Sequence, residues 1–420
     1  MTTHSDIDAS LLLPPDELAA FVQPYLDRRQ AYLDLAAAHG SPLYVLEPDM
    51  LVRQAQAFQS AFCAKLTDPG FFFAVKSNNC PEVAKTLVSC GFGLDVSSGE
   101  ELAMALATDA ETIVFSGPGK TAEELALAVA NHDRVTVLID SLGEMERLEA
   151  VAAAAQATVL AGVRLTTTPD GLWRKFGILP ERLADFYEAS IKCGHVNLAG
   201  LQFHTSWNLS PDAHVAFIER MGAVLAQMPE DFNRQLRFID IGGGFWPEQG
   251  EWLHHPDGAP ADPKTSFSRV RPHYRLAARP ITDFADAIGE AVRRHIFPVT
   301  DVRICMEPGR WVCHPAMQLL MRVVDRKAGD LVVTDAGTNA IGWERFETDY
   351  FPVLNLSRPD TSEQPCLILG ALCTPHDVWG FGYFGKSIAE GDILLIPAQG
   401  AYTYSLRQNF IKPLPRLVIL

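Results

Sequence analysis

Between Phe71 and Glu307 the chain alternates short β-branched and aromatic runs with longer stretches rich in Ala, Leu and Glu. The short runs are near-continuous apolar segments bounded by Gly, Pro, Asn or Asp, the pattern of strands buried on both faces. In order they are Phe71–Lys76, Gly93–Ser97, Thr112–Gly117, Val135–Asp140, Val159–Leu165, Leu198–His204, Arg237–Gly242 and Val302–Glu307. Between them apolar residues recur at helical spacing, as in Pro81–Cys90, Gly99–Thr108, Ala122–Asn131 and Glu144–Ala155. Repeated βα units predict an α/β fold. Eight strands suit a closed (β/α)8 TIM barrel, although a doubly wound open sheet has the same alternation.

The rhythm breaks on both sides of this region. Pro247–Pro280 is rich in Pro, His and Asp and predicts an extended surface excursion before a helix over Ile281–His295. Beyond Glu307, Gln318–Asp325, Leu331–Thr334, Pro365–Leu369, Asp392–Pro397 and Arg416–Leu420 read as strands with few helices between them. Upstream, the helical pattern Pro15–Ala38 ends at the strand-like Pro42–Leu46. The expected organisation is an N-terminal segment, 1–41, packing with a β domain. A barrel over 42–310 and a C-terminal β-rich barrel or sandwich over 311–420 follow. The length of 420 residues agrees with more than one core.

Composition narrows the partners rather than the fold. With 48% apolar and 20% charged residues the chain reads as soluble and globular, and its net charge of −16 argues against nucleic acid or an anionic membrane surface. A small anionic ligand stays possible, since a site sets its own local field. The start has no basic segment followed by an apolar one, so a secretory leader is not expected. No apolar run approaches the ~18 residues that span a bilayer. Eight cysteines without CxxC spacing suit reduced thiols in a cytoplasmic protein, and neither a disulfide framework nor a metal site is expected.

The chemistry gathers where the strands end. Lys76, Asp95, the turn Ser116–Gly119, Asp140, Arg164, His204, Gly242–Gly244, and Glu307 with Gly309 and Arg310 all fall at C-terminal strand ends or in the loops after them. In a barrel that rim is the active-site face. Lys76 closes an apolar run, and burial there favours the neutral amine that Schiff-base chemistry needs. A snorkelling strand-end lysine explains the same position. The glycines of Asp240-Ile-Gly-Gly-Gly244 offer unhindered backbone N–H groups for a phosphate, or form a plain tight turn. Their place after the seventh strand favours the phosphate. Glu307 and Arg310 supply a carboxylate and a guanidinium beside it, or a structural salt bridge. His204 is a structural histidine or a flat partner for a cofactor ring.

Taken in order, these residues match a family. Phe73-Ala-Val-Lys76, Gly93–Glu101, Lys175-Phe-Gly-Ile178, Phe203-His204, Asp240–Gly244, Glu307-Pro-Gly-Arg310, Gly370–Asp377 and Gly400-Ala-Tyr402 resemble the barrel-type (fold type III) pyridoxal 5'-phosphate (PLP) decarboxylases. That group contains the ornithine, arginine and diaminopimelate enzymes. The resemblance covers the chain from about Pro42 onward. It implies the closed barrel, and a lyase in which Lys76 carries the cofactor covalently and His204 stacks on its ring. Gly242, Gly243, Gly244, Gly309, Arg310 and Tyr402 hold the phosphate, Arg164 approaches the phenolic oxygen, and Asp95 belongs to the cofactor site. Glu307 meets the pyridine nitrogen and keeps it protonated, which favours decarboxylation over racemisation. Cys373 reaches into a neighbouring subunit's barrel as the acid that reprotonates the α-carbon, so a homodimer with shared sites is implied. Asp377 supports the substrate amine or that interface.

The sequence departs from the family at two places. The family's His-x-Gly-Ser is His204-Thr-Ser-Trp207 here, which moves the hydroxyl to Ser206 and puts Trp207 in the serine's place. Thr374 stands where diaminopimelate decarboxylases have a glutamate, and Asp335–Tyr350 looks different from the region in which they carry an arginine and a tyrosine for the distal carboxylate, above all in the segment Gly342–Pro352. That segment resembles a subgroup of siderophore biosynthesis acting on citrate-conjugated diamino acids, with Trp343 and Arg345 near the substrate and Arg345 or Arg407 for its extra carboxylates. Glu344, Glu347 or Asp349 are the acidic candidates for a simple distal amine. The alternatives are a diaminopimelate or basic amino acid decarboxylase, and a non-catalytic regulator that keeps the fold.

Overall fold

A computed structural model of the protein describes residues 9–254, 269–342 and 349–420. They fall into two compact units. One takes in the described parts of Val52–Glu248 and Arg279–Val312, the other those of Met1–Leu51, Gln249–Ala278 and Cys313–Leu420.

In the first unit eight parallel strands close a barrel, which decides against an open sheet. They are β1 (Gly70–Ala74), β2 (Gly93–Val96), β3 (Ile113–Phe115), β4 (Val135–Ile139), β5 (Val159–Leu165), β6 (Val196–Phe203), β7 (Phe238–Asp240) and β8 (Arg303–Met306). Pairing of β8 with both β7 and β1 makes the closure. Each strand read from the sequence is present, most of them shortened by a residue or two at the ends. Lys76 is a case in point: the strand stops at Ala74 and the lysine sits in a single 3-10 turn, Val75–Ser77.

Large inward side chains are matched by glycines across the barrel floor. Phe72, Val114, Leu138 and Cys305 cluster there with Phe238. A Cβ on Gly200 would lie 2.0 Å from Phe238, one on Gly93 2.6 Å from Phe72, and one on Gly70 2.7 Å from the Cys305 sulfur. The floor is therefore packed solid, and the opposite rim is left for ligands. The rim is fixed by helix caps. Ser98 Oγ accepts the Glu101 N–H, Thr121 and Glu124 form a reciprocal capping box, and Ser141 accepts the Glu144 N–H. Glu124 also accepts the Gly99 N–H at 2.6 Å, tying one βα unit to the next.

The second unit is built on an eight-stranded sheet. Its order is Leu331–Thr334, Glu363–Leu369, Val378–Phe384, Leu354–Asn355, Ile393–Ile396, Met317–Ala328, Leu43–Leu46 and Arg416–Ile419. The first strand also pairs with Met317–Ala328, curling the sheet toward a barrel. Three expectations change here. The strand at Pro42–Leu46, assigned above to the barrel domain that begins at residue 42, pairs with Met317–Leu320 and Arg416–Ile419 and so belongs to this unit. The Pro-rich excursion is not merely surface. Glu251–Leu253 and Tyr274–Leu276 form an antiparallel pair, and Trp252 enters the apolar core made by Leu18, Val22, Tyr32, Leu320 and Leu395. The N-terminal helical pattern is two helices, Pro15–Asp27 and Arg29–His39. Among the described residues no disulfide joins the eight cysteines. Among the described residues no helix is long and apolar enough to cross a membrane.

Candidate active site

Parallel neighbours in register face the same side of a sheet, so the pairings name the groups that point into the barrel. Asp95 pairs with Val114, Gln202 with Asp240, and Asp240 with Cys305. Val114 and Cys305 are floor residues, so Asp95, Gln202 and Asp240 point inward, and Glu307 does so two residues above Cys305. All four side chains are buried.

Lys76 meets this group from the turn after β1. Its Nζ lies 3.3 Å from Asp95 Oδ2, and its side chain is about one-third exposed. Ser116 Oγ donates a short hydrogen bond to the other Asp95 oxygen. Burial, then the charge of Glu307, raise the pKa of Asp95, while Lys76 and Ser116 oppose the shift. Gly309 lets the Glu307–Arg310 loop close onto the lysine's turn: a Cβ there would lie 2.8 Å from Ser77 Oγ.

His204, after β6, is a neutral ring. The backbone N–H of Gly243 donates to its Nδ1 at 3.1 Å, so the proton sits on Nε2. Burial, then the positive charges of Lys76 and Arg164, hold its pKa well below the ordinary value. Its 3.7 Å approach to Glu307 is accordingly not an ion pair.

The three glycines are places where side chains cannot go. Gly242 and Gly244 have φ of 70° and 83°. Added Cβ atoms at 242, 243 and 244 would lie 2.4, 2.4 and 2.1 Å from the carbonyls of Phe203, Glu307 and Thr205. Asn208 zips this loop to the one after β6, donating its N–H to the Gly244 carbonyl and accepting from Trp246. His214 lies beneath: its Nε2 is 3.0 Å from the Gly243 carbonyl, and its ring stacks on Phe245. Ser206 is half-buried on the same loop. Trp207 is 65% exposed in the left-handed region at φ 62°, and its ring lies 5.8 Å from that of Trp246, over which Arg310 packs.

Arg164 is buried at the end of β5, with its guanidinium 4.4 Å from the Phe176 ring. Asp140 explains that contact. Its Oδ1 accepts the Gly177 N–H at 2.6 Å, while the N–H of Ile178 donates to the Arg164 carbonyl. The segment Lys175–Ile178 is thereby folded back over the arginine.

The remaining candidates lie in the β unit. Cys373 is exposed, and Thr374 and Tyr402 are half-exposed, Tyr402 at φ 57°. Asp377 is buried with both oxygens engaged, accepting the N–H groups of Thr338 and Leu372 at 2.7 and 2.6 Å. It shapes the Gly370–Asp377 turn rather than presenting a carboxylate. Arg407 packs on the Tyr404 ring and donates to the Tyr404 carbonyl. Trp343, Glu344, Arg345 and Glu347 lie outside the described residues.

Sequence reasoning did not single out Gln202, Phe176, His214 or Trp246. Gln202 carried a signal, a lone polar residue at an inward position of an apolar strand. His214 carried none, because it reads as part of the helix Asp212–Leu225.

The site fits PLP. The side-chain-free glycine loop leaves a phosphate room to approach the backbone at Gly244, the neutral His204 suits a flat ring, and the buried Glu307 a protonated ring nitrogen. The buried oxygens Gln202 Oε1 and Asp240 Oδ2 have no hydrogen-bond partner. Among the described residues no group of His, Cys, Asp and Glu is placed to hold a metal ion.

Comparison with known proteins agrees. Residues 49–314 match the family model of the pyridoxal binding domain of pyridoxal-dependent decarboxylases. A diaminopimelate decarboxylase of Archaeoglobus fulgidus is 25% identical over 88% of this chain and 85% of its own. The fold resembles diaminopimelate decarboxylase from Helicobacter pylori complexed with L-lysine (TM-score 0.75, 21% identity, 93% of this chain and 94% of that one). It also resembles lysine/ornithine decarboxylase from Vibrio vulnificus complexed with putrescine (TM-score 0.74, 22% identity, 94% and 98%). The chain belongs to the pyridoxal-dependent decarboxylases, and it is a PLP-dependent amino acid decarboxylase.

Proposed function

We propose that this decarboxylase removes the α-carboxylate of a diamino acid, of the diaminopimelate or the basic ornithine and lysine kind. The single observation that carries the choice of reaction is Glu307, a buried carboxylate to which Gln202 Nε2 donates at 3.3 Å. A carboxylate there favours a protonated ring nitrogen. The substrate class is supported by the names of the relatives.

When bound, PLP supplies a sink for the electron pair left as CO2 departs. The chain's own residues do the rest. Lys76 holds the cofactor through its amine, and Asp95 holds that amine in place. The Gly244 N–H, with Arg310, Ser206 and Tyr402, binds the phosphate, while Gly242 and Gly243, whose N–H groups go to Asp240 Oδ1 and His204 Nδ1, let it approach the bare backbone. His204 presents its flat neutral ring, and Arg164, steadied by Phe176, faces the phenolic oxygen. Cys373 of a second copy of the chain returns a proton to the α-carbon, which makes the working unit a homodimer.

A second reading is favoured by Trp207 and Thr374, which stand where the family has a serine and the diaminopimelate enzymes a glutamate. It is a diamino acid already joined to citrate or a similar acid, in siderophore biosynthesis. CO2 release from free diamino acids and from their citryl amides separates the two. Turnover of free meso-diaminopimelate, ornithine or lysine supports the first, and turnover of a citryl amide alone supports the second. No release from any of them overturns both.

A further inference from the structure

Three carboxyl groups share the closed end of the site, and they cannot all be ionised. Asp95 has a counter-charge in Lys76 and a donor in Ser116. Glu307 has the Gln202 amide. Asp240 is fully buried with one donor, the Gly242 N–H at 2.8 Å to Oδ1, while its Oδ2 is sealed from water and receives no N–H or O–H. An ionised oxygen left so would be costly, whereas an O–H in that position needs only an acceptor. Glu307 offers one. The N–H of Glu307 donates to the Gly242 carbonyl, which locks the two strand ends together, and the carboxyl groups lie within hydrogen-bonding reach.

We propose that Asp240 is a neutral carboxylic acid whose Oδ2–H donates to Glu307, and that with Gln202 it positions Glu307 as the ionised carboxylate of the pair. Asp240 is a positioning residue, since it acts on the cofactor's ring nitrogen through Glu307. This rests on the reading of Glu307 given above. Burial and the charges of Glu307 and Asp95 all push the pKa of Asp240 well above the ordinary carboxyl range. The other titratable groups facing this end are Lys76, the neutral His204 and the Cys305 thiol, whose own pKa burial raises. Two carboxyl groups that share a site ionise one at a time.

The test begins on cofactor-free protein, so it does not depend on the enzymatic reading. Infrared spectra of wild type labelled with 13C at the aspartate side chains should show a neutral-carboxyl carbonyl band at neutral pH that shifts with the label. The band should be missing from Asp240→Asn and retained in Asp95→Asn. In PLP titrations Asp240→Asn, which keeps a donor, should hold affinity within about threefold, whereas Asp240→Leu, which removes it, should lose about tenfold or more. A band absent from wild type, or surviving in Asp240→Asn, overturns the proposal. So does Asp240→Asn binding the cofactor as poorly as Asp240→Leu. If wild type binds no PLP, the reading of Glu307 fails instead, and the infrared result still decides the state of Asp240.

Discussion

Gly244→Ala is the sharpest perturbation the geometry offers. A residue other than glycine at φ 83° costs about 1–2 kcal/mol in backbone energy alone. The added Cβ would also lie 2.1 Å from the Thr205 carbonyl and 2.8 Å from Asn208 Nδ2, a contact no packed structure tolerates. The loops after β6 and β7 must then part by about 1 Å, a misplacement that costs about a hundredfold where a ligand is held in tight geometry. Gly40→Ala is the control for backbone strain without a clash. Its φ is 80° and its ψ −159°, a region essentially reserved for glycine, it ends the helix Arg29–His39, and nothing lies within 4 Å of the added carbon. Both variants should lose about 1–3 kcal/mol in urea denaturation from backbone strain, and Gly244→Ala loses the further cost of its clash. In PLP titrations of the cofactor-free proteins, Gly244→Ala should bind about a hundredfold more weakly, while Gly40→Ala matches wild type. Equal affinity in the two variants would remove the glycine loop from the phosphate site.

Other outcomes follow from the same contacts. Burial lowers the pKa of His214 to about 4, so between that value and the ordinary 6.5 the unfolded chain takes up a proton that the folded chain refuses. Stability should therefore fall as pH drops from 6.5 toward 4, and His214→Phe should flatten that part of a urea-midpoint profile. An unchanged slope would show that another group sets it. Asp140→Ala removes the acceptor of the Gly177 N–H, a charge-assisted bond of about 1.5–3 kcal/mol. Hydrogen exchange at Gly177 should speed up and turnover should fall as Phe176 leaves Arg164, whereas unaltered protection would refute the tether. Cys373→Ala should keep cofactor binding and lose most CO2 release. Mixed with inactive Lys76→Ala it should regain activity if sites are shared between copies, and exchanged but inactive mixtures would refute the sharing.

Much of this was legible from the sequence, and what was not has identifiable causes. The barrel strands announced themselves because burial on both faces leaves continuous apolar runs. Lys76, His204, the glycine loop and Glu307 were legible because strand ends in a barrel converge whatever their separation in sequence. The strand Leu43–Leu46 was misassigned because its partners are Met317–Leu320 and Arg416–Ile419, and nothing local records pairing over such a distance. Val378–Phe384 was missed because Gly380 and Gly382 interrupt its aromatic pattern. The motif around Asp377 implies support of the substrate amine or of the subunit interface, and the N–H groups of Thr338 and Leu372 that engage both its oxygens leave no trace in the sequence. Pairwise facts of this kind, including the Asp140–Gly177 and His214–Gly243 contacts, arise only once the chain is folded.

The central claim is that Lys76 carries PLP in this barrel. Borohydride reduction of the protein loaded with cofactor, followed by peptide mass spectrometry, tests it directly. The reduced pyridoxyl group is expected on Lys76 and is absent from Lys76→Ala; label on a different lysine, or on none, would contradict the assignment.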